Sequence, residues 1–290
     1  MRMRSLVVLA VAITVLAGCT VPRPAGDGQL RYRDQVFSGV TATTDITYGS
    51  ATGIDGNPET LKLDLYQPTG DTISKRPAIL WIHGGGFTTG DKSTAAGRAT
   101  FLAKLGYVVV SINYRLLSPV GCGGNPNPTP TCVQAAIGAQ HDAQAAVRWL
   151  RANAATYKLD TTRIASAGAS AGAVTSLLVD WRPEDPGDSG NPGPSSKIRA
   201  AVSVSGGAPN NDYITADDGP ALFIHGTADT TVPYEWAVRN SGAMYNLGIF
   251  TVLEPIEGAG HGLPADYGTL INEQTDYFLY FAMDMANAAH

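Results

Sequence analysis

The feature that most constrains this chain is a set of short apolar runs spaced by helix-length segments. Ala78-Ile79-Leu80-Trp81-Ile82, Tyr107-Val108-Val109-Val110-Ser111-Ile112 and Ala221-Leu222-Phe223-Ile224 carry apolar residues at consecutive positions. A strand with one wet face alternates apolar and polar residues, whereas a run apolar throughout must be covered on both faces. Helical patterns over Thr94–Leu105, Val133–Ala155 and Asn272–Ala286 supply that cover. Strands alternating with helices predict an α/β fold, a mostly parallel central sheet flanked by helices. Ligands of such sheets bind beyond the carboxyl ends of the strands. Of the 290 residues, 44% are hydrophobic and 16% charged, which suits one large domain. A net charge of −5 without a basic cluster argues against a nucleic-acid partner.

Other segments fill in the order. Val36–Tyr48 and Leu61–Tyr66 read as strands, the second alternating Leu with polar residues as an antiparallel strand does. Further strands are expected over Thr162–Ala167, Ile198–Val204 and Phe250–Leu253. The Pro/Gly-rich stretch Arg182–Ser196 reads as a flexible loop and a small lid, with no large cap domain.

Chemistry concentrates at the expected strand ends. Gly168-Ala169-Ser170-Ala171-Gly172 joins the Thr162–Ala167 strand to a helical pattern beginning at Ala173. A serine between glycines at that junction has the form of a nucleophile elbow, a strained turn that leaves Oγ accessible. His83-Gly84-Gly85-Gly86-Phe87 follows the Ala78–Ile82 strand, and its glycines let backbone N–H groups approach a ligand closely. Asp229 lies in His225-Gly226-Thr227-Ala228-Asp229-Thr230-Thr231-Val232-Pro233, directly after the Phe223 strand. His261 lies in the glycine-rich Glu257–Gly262 loop after the last strand.

Together these four loops resemble the HGGG-type carboxylesterases and lipases of the α/β-hydrolase superfamily. The resemblance runs over residues 40–285, and Leu63–Pro68 with Trp81–Phe87 resemble small and feruloyl-type esterases in particular. It implies Ser170 as nucleophile, His261 as base and Asp229 as the orienting acid. It also implies an oxyanion hole from the N–H groups of Gly85, Gly86 and Ala171, with His83 and His225 structural. Phe87, Tyr114 and the Cys122–Cys132 loop are expected to border the pocket. The implied substrate is a small-molecule or polysaccharide-linked ester with a short- to medium-chain or aromatic acyl group. Amidase, formamidase and peptidase chemistry on the same fold are the alternatives, with a catalytically silent binding protein from another class. Such chemistry needs neither metal nor organic cofactor.

The N-terminus reads as a targeting segment. Arg2, Arg4 and the apolar Leu6–Leu16 stretch precede Leu16-Ala17-Gly18-Cys19, which resembles a bacterial lipobox. That implies a signal peptide over residues 1–18, lipidation of Cys19, a flexible tether over 19–34 and a catalytic domain over 35–290. The expected location is the cell envelope, with the membrane as a partner through the lipid and the protein a monomer or small homo-oligomer. In an exported chain Cys122 and Cys132 are expected to form a disulfide, two free thiols being the alternative. Their spacing, with no histidine pair nearby, argues against zinc.

Overall fold

A computed structural model of the protein describes residues 20–125, 127–263 and 267–288. The expected signal peptide and Cys19 lie outside the described residues. Eight strands form one sheet in the order β1-β2-β4-β3-β5-β6-β7-β8. They are β1 (Val40–Thr52), β2 (Pro58–Pro68), β3 (Arg76–Ile82), β4 (Val108–Ile112), β5 (Leu159–Ala169), β6 (Ala200–Val204), β7 (Ala221–Gly226) and β8 (Thr251–Ile256). The β1–β2 and β2–β4 pairs are antiparallel, and every pair from β4 across to β8 is parallel. With these go helices α1 (Ala96–Leu105), α2 (Pro130–Ala152), α3 (Ala154–Tyr157), α4 (Ala171–Trp181), α5 (Tyr234–Asn246) and α6 (Gly268–Ala282).

Alternation along the strands explains the two cores. In β3, Leu80 and Ile82 enter the cluster built with Ala139, Val147 and Leu177 of α2 and α4. Ile79 turns the other way, into the cluster built with Leu102 of α1 and Phe278 and Leu279 of α6. Both faces are therefore sealed, as the consecutive apolar residues require. Helix ends follow local chemistry. Thr129 Oγ1 accepts from the Cys132 N–H to cap α2, with Pro130 at its first position. Gly106, at φ +116°, ends α1 in the left-handed region open to glycine.

Two expectations are corrected. The segment 19–34, read as a flexible tether from its Pro and Gly content, packs on the domain through Val21 and Tyr32, both buried. Tyr32 N–H donates to Leu105 O at 2.7 Å, and Arg31 pairs with the buried Asp71 carboxylate. Two apolar side chains and an ion pair outweigh the composition. The second is the Arg182–Ser196 segment, read as a flexible lid. Arg148 donates to the carbonyls of Pro186 and Gly190, and the buried Ser189 hydroxyl donates to Asp142 Oδ1 at 2.6 Å. Ser189 O also accepts the Ser50 N–H of β1 at 3.0 Å, so the segment is fastened across α2 and the sheet edge. Asp142, with its carboxylate 2.8 Å from Arg115 Nη2, is the buried centre of that fastening.

Candidate active site

Strand pairing determines which loops meet. Ile82 of β3 stands opposite Gly168 of β5, so the His83–Phe87 loop and the Ser170 turn emerge side by side. A Cβ on Gly84 would lie only 3.2 Å from Ser170 Cβ. Ser170 itself sits at φ 54° and ψ −123°. That left-handed conformation costs an ordinary residue about 1–3 kcal/mol and persists where surroundings enforce it. Here the Ser170 N–H is held by Val204 O of β6 at 2.9 Å. Gly168 and Gly172 permit the close crossing: a Cβ on Gly168 would meet Gly172 O at 2.3 Å, and one on Gly172 would meet Ile82 O at 2.1 Å.

The acid and histidine loops are stitched in the same way. Gly226 ends β7 opposite Ile256 of β8. Beyond this pair the Thr227 N–H donates to Ile256 O at 3.0 Å and the Ala228 N–H to Ala259 O at 2.9 Å. Those bonds deliver Asp229 and His261 to one place. His261 Nε2 lies 2.8 Å from Ser170 Oγ, and His261 Nδ1 lies 2.8 Å from Asp229 Oδ2. The contiguous chain from hydroxyl to imidazole to buried carboxylate is the arrangement that activates a serine.

Asp229 is saturated with donors. Its Oδ1 accepts the N–H groups of Thr231 (2.8 Å) and Val232 (3.0 Å). Its Oδ2 takes, besides His261, the ring of His225, whose Nε2 is 3.1 Å away. Burial alone would raise this carboxyl, but hydrogen bonds from His225, His261 and the Val232 N–H outweigh it and hold it well below the usual carboxylate range. His225 Nε2 also faces Val232 O at 2.9 Å, so this nitrogen must carry the proton.

The glycine loop offers donors beside the serine. Gly85 and Gly86 have φ of +113° and +61°, and Thr88 and Thr89 N–H both donate to Gly85 O at 3.1 Å, forming a tight turn. Ala171, first residue of α4, has no intrahelical acceptor for its N–H. Gly85, Gly86, Ser170 and His261 line one cleft, and Ala171 borders the cavity that adjoins it. His83 points away from the chemistry: its ring stacks on Tyr114 with centroids 4.4 Å apart, and its Nδ1–H donates to Gly84 O at 2.7 Å. Burial lowers the His83 pKa and keeps the ring neutral.

Most of the residues expected to meet do so. Phe87 borders the cavity beside Ala171, and Cys122 and Cys132 are joined with Cα atoms 5.6 Å apart. Tyr114 differs: it is fully buried behind the loop, with its hydroxyl donating to His83 O at 3.0 Å, so it braces the glycine turn from below. One cleft residue carries no signal in the sequence: Ser205, at φ 54° just after β6, lines the cleft and donates to His261 O at 3.3 Å. His225 has the structural place expected of it, buried with its ring on Asp229. Among the described residues no cluster of His, Cys, Asp or Glu has the makings of a metal site, and no helix is long and apolar enough to cross a membrane.

The sheet order, the elbow and the placement of the acid and histidine loops are those of the α/β-hydrolase fold. More particularly, residues 63–206 match the family model described as BD-FAE. Among curated proteins, the chain is 32% identical over 136 residues to Esterase LipI of Mycobacterium tuberculosis, covering 46% of this chain and 38% of that protein. It is 33% identical over 161 residues to phenmedipham hydrolase of Pseudarthrobacter oxydans, covering 52% of this chain and 30% of that protein. The matched stretches thus span 30–38% of those relatives. Among solved structures, a propionate-bound esterase of Thermogutta terrifontis aligns with TM-score 0.68 at 24% identity, covering 90% of this chain and 99% of that one. A truncated carbohydrate esterase from gut microbiota aligns at TM-score 0.66 and 23% identity, covering 86% and 98%. These last two likenesses concern the fold.

Proposed function

We propose that this chain is a carboxylic ester hydrolase that works through Ser170, His261 and Asp229. The observation that carries the reading is the unbroken 2.8 Å and 2.8 Å relay from Ser170 Oγ through His261 to Asp229, set beside the Gly85–Gly86 turn. Esterase names among the relatives support it. Ser170 Oγ attacks the ester carbonyl carbon while His261 Nε2 takes the hydroxyl proton. Asp229 holds the Nδ1–H tautomer and stabilises the imidazolium. The carbonyl oxygen gains charge against the N–H groups of Gly85, Gly86 and Ala171, donors of a kind whose loss costs about 3–4 kcal/mol each. The imidazolium then gives its proton to the departing alkoxide, leaving an acyl-serine. A water, deprotonated by His261, attacks that acyl group, releasing the acid and restoring Ser170.

Short- to medium-chain or aromatic acyl esters, including those on a polysaccharide, are the substrates that fit the small-esterase resemblance. Neighbours titled as propionate-bound and as a carbohydrate esterase accord with that range. The lipobox-like Leu16–Cys19 further supports export and anchoring through Cys19. A fluorophosphonate probe tests the chemistry. The wild type should be labelled and should hydrolyse p-nitrophenyl acetate, and Ser170→Ala should do neither. Equal labelling of both proteins would refute the assignment. Membrane fractionation of the full chain should be lost in Cys19→Ser, and its persistence would remove the anchor.

A further inference from the structure

Two spaces lie side by side near the catalytic serine, Ser170 bordering the first and its neighbour Ala171 the second. One is an open cleft of about 830 Å³ bordered by Gly85, Gly86, Thr88, Thr89, Ser205 and His261. The other, about 330 Å³, is bordered by Phe87, Leu178 and Trp236 and does not reach His261. Its long wall is one face of α4: Ala171, Val174, Leu178 and Arg182 recur at intervals of three, four and four. At the helical rise these residues span roughly 16 Å. At the far end the Arg182 guanidinium pairs with Asp185 and lies 4.3 Å from the centroid of the Tyr213 ring, so its charge is already matched. Val120, Val133 and Tyr213 along its border are exposed apolar side chains.

The ridge between the two spaces is the disulfide loop. Gly121, Cys122, Gly123 and Thr231 border both. The loop is docked at two points: Cys122 N–H donates to Gly86 O at 3.2 Å, and Gly124 N–H donates to Thr231 O at 2.7 Å. Cys132, on the first turn of α2, borders the apolar groove and ties the ridge to that helix.

Proton transfer decides which half of an ester enters which space. The leaving oxygen must receive its proton from His261 Nε2, so the alcohol belongs in the cleft that His261 borders. The oxyanion occupies the backbone donors. The remaining substituent of the tetrahedral carbon must run past Ala171 into the groove along α4.

We propose that the Cys122–Cys132 ridge sorts the ester, directing a compact apolar acyl group along α4 and leaving a bulky hydroxylated alcohol in the open cleft. The inference rests on the ester-hydrolase reading. Val174 and Leu178, on the wall of the groove, are the residues that set acyl length.

The test compares kcat/KM for p-nitrophenyl octanoate and p-nitrophenyl acetate. Val174→Phe should lower the octanoate-to-acetate ratio by about tenfold or more, and Leu178→Ala should raise the longest acyl chain accepted. Cys122→Ser with Cys132→Ser should bring the ratio closer to one by opening the ridge. Fluorophosphonate labelling of each variant verifies an intact Ser170. An unchanged ratio in labelled Val174→Phe and in the double variant would overturn the proposal. So would a change in preference among acetates of different alcohols in place of the acyl series. If the wild type cleaves neither ester and takes no label, the ester-hydrolase reading itself has failed, an outcome distinct from either of those.

Discussion

His225 and His261 approach the same oxygen, Asp229 Oδ2, at 3.1 and 2.8 Å. One ring is half-open to the cleft and the other is fully buried. The buried ring has its Nε2–H on Val232 O and Asp229, while its Nδ1 has no hydrogen-bond partner among the described residues. It thus acts as a donor that fixes the carboxylate rather than as a second base.

Loss of that donor should misplace Asp229. His225→Phe is expected to lower kcat by about 10- to 100-fold, the worth of a hydrogen bond to a charged group, with KM little changed. His225→Gln, which can return an N–H near the Nε2 position, should recover most of the rate. Equal losses in both variants would assign His225 to packing alone. For scale, Asp229→Asn should cost roughly 10⁴-fold in kcat.

Gly85 tests the oxyanion donors. Its φ of +113° is strained for other residues, and a Cβ there would meet Thr89 O at 2.0 Å. Gly85→Ala should lower kcat by about 10²–10³-fold while circular dichroism stays native. Wild-type turnover in this variant would exclude the turn from the chemistry.

Asp180 should govern part of the pH dependence of stability. This carboxyl, near the end of α4, is buried, with Oδ1 accepting the Gly219 N–H at 3.1 Å and Oδ2 without a partner among the described residues. Burial first, and the nearby Asp218 charge second, push it up from the ordinary 3.8 to about 8. The folded state therefore binds this proton more tightly than the unfolded chain. Its contribution is fully present below the unfolded value and is lost as pH rises through about 8, at up to about 1.4 kcal/mol per pH unit. Asp180→Asn stays neutral at every pH, so its drop in Tm from pH 5 to pH 8.5 should be smaller than that of the wild type. Parallel Tm curves would show that Asp180 does not titrate in this range.

The cross-link should also carry stability. Closing the ten-residue separation between Cys122 and Cys132 restricts the unfolded chain by about 2–3 kcal/mol. Substituting both cysteines with serine should lower Tm accordingly, and addition of reductant to the wild type should do the same. No shift under reductant would mean that the bond is absent in solution.

Local chemistry explains what was legible beforehand. Apolar runs reveal strands because burial on two faces leaves no room for polar residues, and glycines reveal the elbow because the backbone crossing at Gly168 and Gly172 excludes a Cβ. The extension of β5 back to Leu159 was hidden by Asp160 and Thr161, polar residues at the sheet margin. Packing of the N-terminal segment was hidden because a few buried residues, Val21 and Tyr32 among them, anchor a composition otherwise typical of linkers. Pairing of His225 with Asp229 depends on how the chain turns between β7 and α5, which no periodicity records. Tyr114 was misplaced for a related reason: an aromatic following a strand serves pocket and core alike until its hydroxyl partner is known.

Ser170 owes its position to backbone contacts: the Val204 carbonyl that holds its N–H, and the main-chain atoms of Gly172 and Ile82 that crowd its flanking glycines. The groove along α4, by contrast, is bounded by the side chains of Val174 and Leu178. Reactivity and selectivity therefore reside in separable parts of the molecule. Substitutions at Val174 or Leu178 can accumulate over evolutionary time, or in an engineered series, and reshape the groove while the main-chain holds on Ser170 stay in place.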